Sequence, residues 1–433
     1  MGMMNMSLRA ERDHPLFIRD CFSKIHNNLN LLFPVVMAAL LLVRVNQVQA
    51  QAGIELENVR AEVEYGVGVT FLAGIKASIP IQQASIVIFN DTEGVTYAQP
   101  IQIDPQGRAE YRFDVRQNPL RPFSTLSWYY EFTLADGTTI QSDAYDVRYD
   151  DNRFTWQTLE SGTIVVHWYD GDAEFGEAAM DVAQVGLQSI GRIVPIDLTQ
   201  PVDVFIYASK DDLRATLETG GESWVAGQAH PALGVVTAVV TPGAGQVISM
   251  EQRIPHEIMH VMLYRSVAEG YNNVPVWLRE GVATLAEINP SSDYDLALMD
   301  AVSQNRLIPL SDLCASFPAA DGEAFLAYAE SRSFTDYLLR TYGEARLLGL
   351  ASAYADGLDC ESGPERTFGV PLSQLEQDWR ESALGQNSPA APLQDALPYL
   401  VLLCLILLIP LIAVLSTIRK KGNPHGPETF VRK

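Results

Sequence analysis

The chain is short of positive charge. Its 433 residues carry 30 lysines and arginines against 53 acids, a net charge of −23. Such a field repels nucleic acid and anionic lipid, which argues against a nucleic-acid partner, although it names no substrate. Histidine is also scarce, with seven in the whole chain, so two of them at helical spacing carry weight. Cysteine is scarcer still: four residues are too few for a disulfide scaffold. Internal repeats and low-complexity tracts are absent, which excludes solenoids and arrays and leaves a globular, multidomain reading.

The two ends carry the longest apolar runs, and the runs differ. The stretch at 31–43, LLFPVVMAALLLV, is too short to span a bilayer, and RVNQVQAQA after it offers small-residue cleavage sites behind Ala50 and Ala52. Residues 1–52 therefore read as a signal peptide, with an uncleaved anchor as the alternative. Residues 397–418 form an uncharged run followed at once by Arg419, Lys420 and Lys421, the pattern of a transmembrane helix with its basic flank inside. Together the ends predict a single-pass protein of the cell membrane, with an extracytoplasmic body and a cytoplasmic tail at 419–433. In that body only Cys314 and Cys360 remain, either as one disulfide or as two buried thiols.

Within the body, residues 53–152 alternate apolar and polar residues in short runs such as SIVIFN, AEYRFDV and WYYEFTL, broken by turn chemistry such as DPQG and ADGT. About seven strands at this spacing predict an all-β sandwich of immunoglobulin or fibronectin type. The aromatic WYYEF at 128–132 is either a sugar-binding stripe or, as alternating aromatics more often are, core. RYDDNRFTW then reads as a polar linker. Beyond it the rhythm changes to strand, helix, strand, helix and becomes mostly helical, so residues 160–382 form an α+β domain, followed by a proline-containing linker at 383–396.

The chemistry is concentrated in IPHEIMHVML, residues 254–263. On a helix, His256 and His260 at i and i+4 point two imidazoles at one ion, and Glu257 beside the first reaches a water held there. Two core histidines on an apolar helix are the alternative. A hydrolytic zinc takes three protein ligands and keeps a fourth place for water. VPVWLREGVATLAE follows, a proline-started amphipathic helix that sets Glu280 among apolar neighbours with nineteen residues between it and His260, joined to the first helix by a turn-rich connection suited to a helix hairpin.

HEIMH followed by WLREGVA, with nineteen residues between His260 and Glu280, resembles the gluzincin metallopeptidases, the thermolysin and aminopeptidase clan, and more closely their short bacterial relatives with peptidase MA-like domains. The resemblance implies a zincin-like catalytic domain with His256, His260 and Glu280 as Zn2+ ligands and Glu257 as catalytic base. It implies Tyr328, in AYAES, as a donor to the developing oxyanion, although a helix-packing tyrosine is the plainer reading. His230 is an alternative donor or a loop residue. GVVTAVVTP at 234–242 is the candidate for the clan's substrate-pairing edge strand, or else an interior strand.

Departures from the clan are equally visible. Ala283 and Thr284 stand where thermolysin-like enzymes place a serine and an aspartate that supports the first histidine, so support must come from Thr284 or Glu287, the latter also readable as a solvated helix face. Arg279 replaces the aminopeptidases' asparagine, and their Gly-x-Met-Glu-Asn segment is missing, which argues against an N-terminal exopeptidase. The expectation is thus a membrane-anchored zinc endopeptidase acting on peptide or protein substrates. The alternatives are an inactive surface-binding or scaffold protein and a zinc hydrolase of non-peptide esters or epoxides.

Overall fold

The computed structural model of the chain describes residues 53–216, 227–386, 399–403 and 406. The expected signal peptide and cytoplasmic tail lie outside these residues, as does most of the expected span at 397–418. Among the described residues no helix is long and apolar enough to cross a membrane.

The N-terminal strands form two antiparallel sheets over one core. One sheet joins β1 (Ile54–Glu64), β2 (Gly68–Ala77) and β5 (Arg108–Asp114). The other runs in the order β4 (Val95–Pro100), β3 (Ile81–Asn90), β6 (Thr125–Leu134), β7 (Thr139–Gln141), and β8 (Tyr145–Arg148) also pairs with β6. Strict alternation along β6 sends Trp128, Tyr130 and Phe132 into the core, where the Trp128 ring lies 4.9 Å from Phe71 of the opposite sheet. The WYYEF cluster is therefore core, not an exposed stripe. Eight strands take the place of the expected seven, because the stretch before the junction splits into the short pieces β7 and β8.

A third sheet follows in the order β12 (Gly227–His230), β13 (Val235–Val239), β11 (Val202–Tyr207), β10 (Ile164–Trp168), β9 (Gln157–Ser161). β10, β11 and β13 are parallel, while β9 and β12 run antiparallel at the edges. The period of two decides what each face meets. Val202, Val204 and Ile206 of β11 join the main helical core, whereas Phe205 and Tyr207 turn to the other side with Phe123 of the sandwich. Helix α1 (Ala173–Ile190) crosses from β10 to β11, and the short α2 (Lys210–Arg214) follows β11.

The expected polar linker is a packed seam. Asp151 is fully buried and accepts hydrogen bonds from Arg153, Tyr207 and Thr216. Arg148 of the sandwich and His167 of β10 share Asp203, at 2.9 and 2.8 Å, and the rings of Phe123 and Phe205 are 4.4 Å apart. The charges that mark RYDDNRFTW as a linker in sequence are instead spent on one another, with aromatics closing around them.

The remaining helices are α3 (Gln246–Val267), α4 (Val276–Ala286), α5 (Asp293–Ser303), α6 (Asp321–Tyr342), α7 (Glu344–Ala355), α8 (Ser362–Phe368) and α9 (Leu372–Ser382). α3 packs on α1 where Gly186 meets Pro255 so closely that a Cβ on the glycine would stand 2.8 Å from the proline ring. α4 packs on α6 through Gly281, where a Cβ would stand 2.1 Å from Thr335 Oγ1, and through Trp277 against Phe334, with ring centroids 5.0 Å apart.

Cys314 and Cys360 are joined in a disulfide that closes 46 residues of this helical half. A loop of that length limits the unfolded chain by roughly 2–4 kcal/mol. Replacing both cysteines by serine is expected to lower stability by that amount in urea titration of the purified chain, with an unchanged far-UV spectrum.

Candidate metal centre

Helix α3 carries an internal proline, and that defect builds part of the site. Pro255 has no N–H, so the carbonyl of Glu251 loses its helical partner. Ile288 N–H takes its place, donating to Glu251 O at 3.0 Å. This bond ties the chain just past α4 to the first half of α3. It sets Glu287 beside His256, whose Nδ1 is 3.2 Å from Glu287 Oε1.

The other ring nitrogens converge. Nε2 of His256 is 3.4 Å from Glu280 Oε2, and Nε2 of His260 is 3.6 Å from the same oxygen. The three donor atoms lie within 4.8 Å of one another. Donors at ordinary zinc bond lengths around a tetrahedral ion stand about 3.4 Å apart, so the spacing fits such an ion. The donor set, two imidazoles and a carboxylate, fits it chemically as well.

The far side of each imidazole is also engaged. Glu287, whose side chain is only 5% exposed, accepts the Nδ1 proton of His256 and so fixes the ring with Nε2 toward Glu280. His260 Nδ1 is 3.0 Å from the Tyr271 hydroxyl, and in the matching tautomer its N–H donates to that oxygen. Arg279, at the aminopeptidases' asparagine position, lays its guanidinium 5.2 Å from the centre of the Tyr271 ring. Glu287 is therefore the support that the missing aspartate leaves open, and it is not a solvated face. Thr284 is not: its hydroxyl is spent on the Glu280 carbonyl.

Glu257 is buried beside these groups. Burial pushes its carboxyl up from the ordinary range, opposed by the two histidines. For Glu280 burial acts in the same sense, but His260 and His256 outweigh it and hold the carboxyl well below its usual value. Tyr328, on α6, faces the same place: its ring centroid is 6.2 Å from that of His256, and burial together with the charges of Glu280 and Glu257 drives its hydroxyl well above the usual tyrosine range.

These groups line a cleft of about 390 Å³ whose walls include Gly227, Arg253, His256, Glu257 and Tyr328. The strand passing over Glu257 is β12, not the stretch at 234–242. That stretch forms β13, an interior strand hydrogen-bonded on both sides. β12 comes so close that a Cβ on Gly227 would stand 2.3 Å from Glu257 Oε1. Four residues carry too little pattern for sequence to mark them as a strand. His230 ends β12 with its ring 5.9 Å from Phe123, on the sandwich side, and burial lowers its pKa to about 4. It lies in the seam and not among the converging donors.

Residues 182–385 match the Peptidase MA superfamily. The matched stretch covers His256, Glu257, His260, Glu280 and Tyr328. No curated protein matches the chain. Among solved structures, an M1 zinc metallopeptidase from Deinococcus radiodurans is similar over 76% of this chain and 94% of its own, at 11% identity and a TM-score of 0.30. A carbohydrate-binding module of family 56 that binds β-1,3-glucan is similar over 22% and 99%, at 14% identity and a TM-score of 0.16. The putative polysaccharide deacetylase BA0330 from Bacillus anthracis is similar over 38% and 54%, at 12% identity and a TM-score of 0.19.

Tyr271 and Glu287 act on the histidines of the peptidase MA-like domain without touching the donor centre. Replacing Glu287 by alanine is expected to weaken metal binding by roughly 10–100-fold, read by competition with a chromogenic chelator. Thr284→Ala is expected to leave it unchanged by the same assay.

Proposed function

We propose that the chain is a membrane-anchored, extracytoplasmic zinc peptidase, with His256, His260 and Glu280 as metal ligands and Glu257 as general base. The observation that carries this reading is the convergence of two Nε2 atoms on one carboxylate oxygen with a second acid, Glu257, buried alongside. Bound there, zinc would polarise a carbonyl and acidify a water. The Glu257 carboxylate takes the proton of the attacking water and returns it to the leaving amine nitrogen, a transfer that its burial favours by raising its basicity. Glu287 and Tyr271 hold the imidazoles in one orientation, and Tyr328 offers its hydroxyl to the oxygen of the scissile carbonyl.

Other features support the accompanying parts of the proposal. β12 is the edge strand of its sheet among the described residues and runs against Glu257, as pairing with an extended peptide requires. An endopeptidase suits a chain lacking the aminopeptidases' N-terminal recognition segment. The sheet orders of the N-terminal strands suit a sandwich of immunoglobulin or fibronectin type over 53–152. The Cys314–Cys360 pairing suits an oxidising compartment, and the basic flank after the apolar run at 397–418 suits a C-terminal anchor.

Glu257→Gln removes a base and little volume. The variant is expected to bind zinc as the unmodified chain does and to cleave a peptide library about 10²–10⁴-fold more slowly. Cleavage at the unmodified rate would remove Glu257 from the mechanism.

A further inference from the structure

Two cations, Arg253 and Lys210, line the cleft beside Glu257 in a strongly acidic protein. Arg253 precedes Glu257 by four residues on α3, so the two share a face. Its guanidinium is half-buried and lines the cleft. One N–H group donates to the Val239 carbonyl at the end of β13, and among the described residues no carboxylate lies within ion-pair distance of it. Lys210, the first residue of α2, stands on the same cleft and is the only lysine between residues 77 and 419. Three acids line the cleft as well: Glu287, committed to His256; Glu257, under Gly227; and Asp321, the first residue of α6.

A half-buried guanidinium without an anion is costly, and burial does disfavour the charge on Arg253. Pinning α3 to β13 uses only part of a five-donor fork. Among the described residues its other donors have no hydrogen-bond partner, Arg253 lines the cleft next to the base, and a planar fork of this kind fits a carboxylate bidentately. We propose that Arg253, assisted by Lys210, binds a carboxylate of the substrate, so that the cleft selects peptides carrying an acidic group near the scissile bond. This rests on the peptidase reading above. The carboxylate belongs either to an aspartate or glutamate side chain or to the free C-terminus of the peptide.

The test uses the zinc-loaded full-length chain and fluorescent peptides of one neutral sequence. In one arm a single glutamate is walked along an amidated peptide. In a second arm glutamine replaces it. In a third the neutral peptide ends in a free carboxylate. Binding is read by fluorescence anisotropy with the Glu257→Gln variant, and kcat/KM with the unmodified chain. We expect one carboxylate arm to exceed the neutral arm by on the order of tenfold or more, and the arm that responds identifies the source of the carboxylate. Arg253→Gln and Lys210→Ala should each draw that ratio toward one, and Arg253→Lys should retain part of it. If Arg253→Gln fails to fold, Lys210→Ala, at an exposed position, carries the test.

Equal binding in all arms, absence of binding in every arm, or a preference that survives both substitutions overturns the inference and reduces Arg253 to a pin between α3 and β13. A carboxylate preference in binding with no cleavage of any peptide would instead contradict the peptidase reading and leave the anion site standing.

Discussion

Everything in the helical half is arranged around one expensive act, the burial of the Glu280 carboxylate against two imidazoles. A carboxylate removed from water costs several kcal/mol unless it finds charge or hydrogen-bond partners, and here both histidines reach the same oxygen. That contact requires α4 to return along α3 at one register. Trp277 and Gly281 set the register from behind by packing α4 on α6, and Gly186 with Pro255 sets α3 on α1. The apolar framework is common to any helical core, but the acid facing two histidines at its centre is not.

The centre was largely legible in the sequence, because helical spacing is short-range geometry. His256 and His260 share a face whatever the rest of the chain does, and a turn-rich connection before Pro275 returns Glu280 to them. What orients the two imidazoles was not legible. Tyr271 lies in an irregular connection whose path no periodicity predicts. Glu287 falls just past a helix end, where its direction depends on a backbone bond to a carbonyl freed by Pro255. The missing proline N–H was a signal that some other donor would be needed, but nothing local says which.

The same limit explains the errors in the strands and the seam. β13 is apolar on both faces, which fits an interior strand as well as an exposed one, and β12 is too short to show alternation. Charged residues between two domains look like a solvated tether until their partners are known. Asp151 and Asp203 find theirs more than fifty residues away in the chain, in Thr216, Tyr207 and Arg148. The seam is the less expected result, since it makes the sandwich the second wall of the sheet whose edge passes over Glu257.

The central claim is that His256, His260 and Glu280 together hold a zinc ion, and the nearest measurement is zinc K-edge X-ray absorption on the purified full-length chain. About one zinc per chain is expected, with only nitrogen and oxygen scatterers, including two imidazoles, at roughly 2.0–2.2 Å. A sulfur scatterer near 2.3 Å, or a chain that retains no zinc after dialysis without chelator, would contradict it.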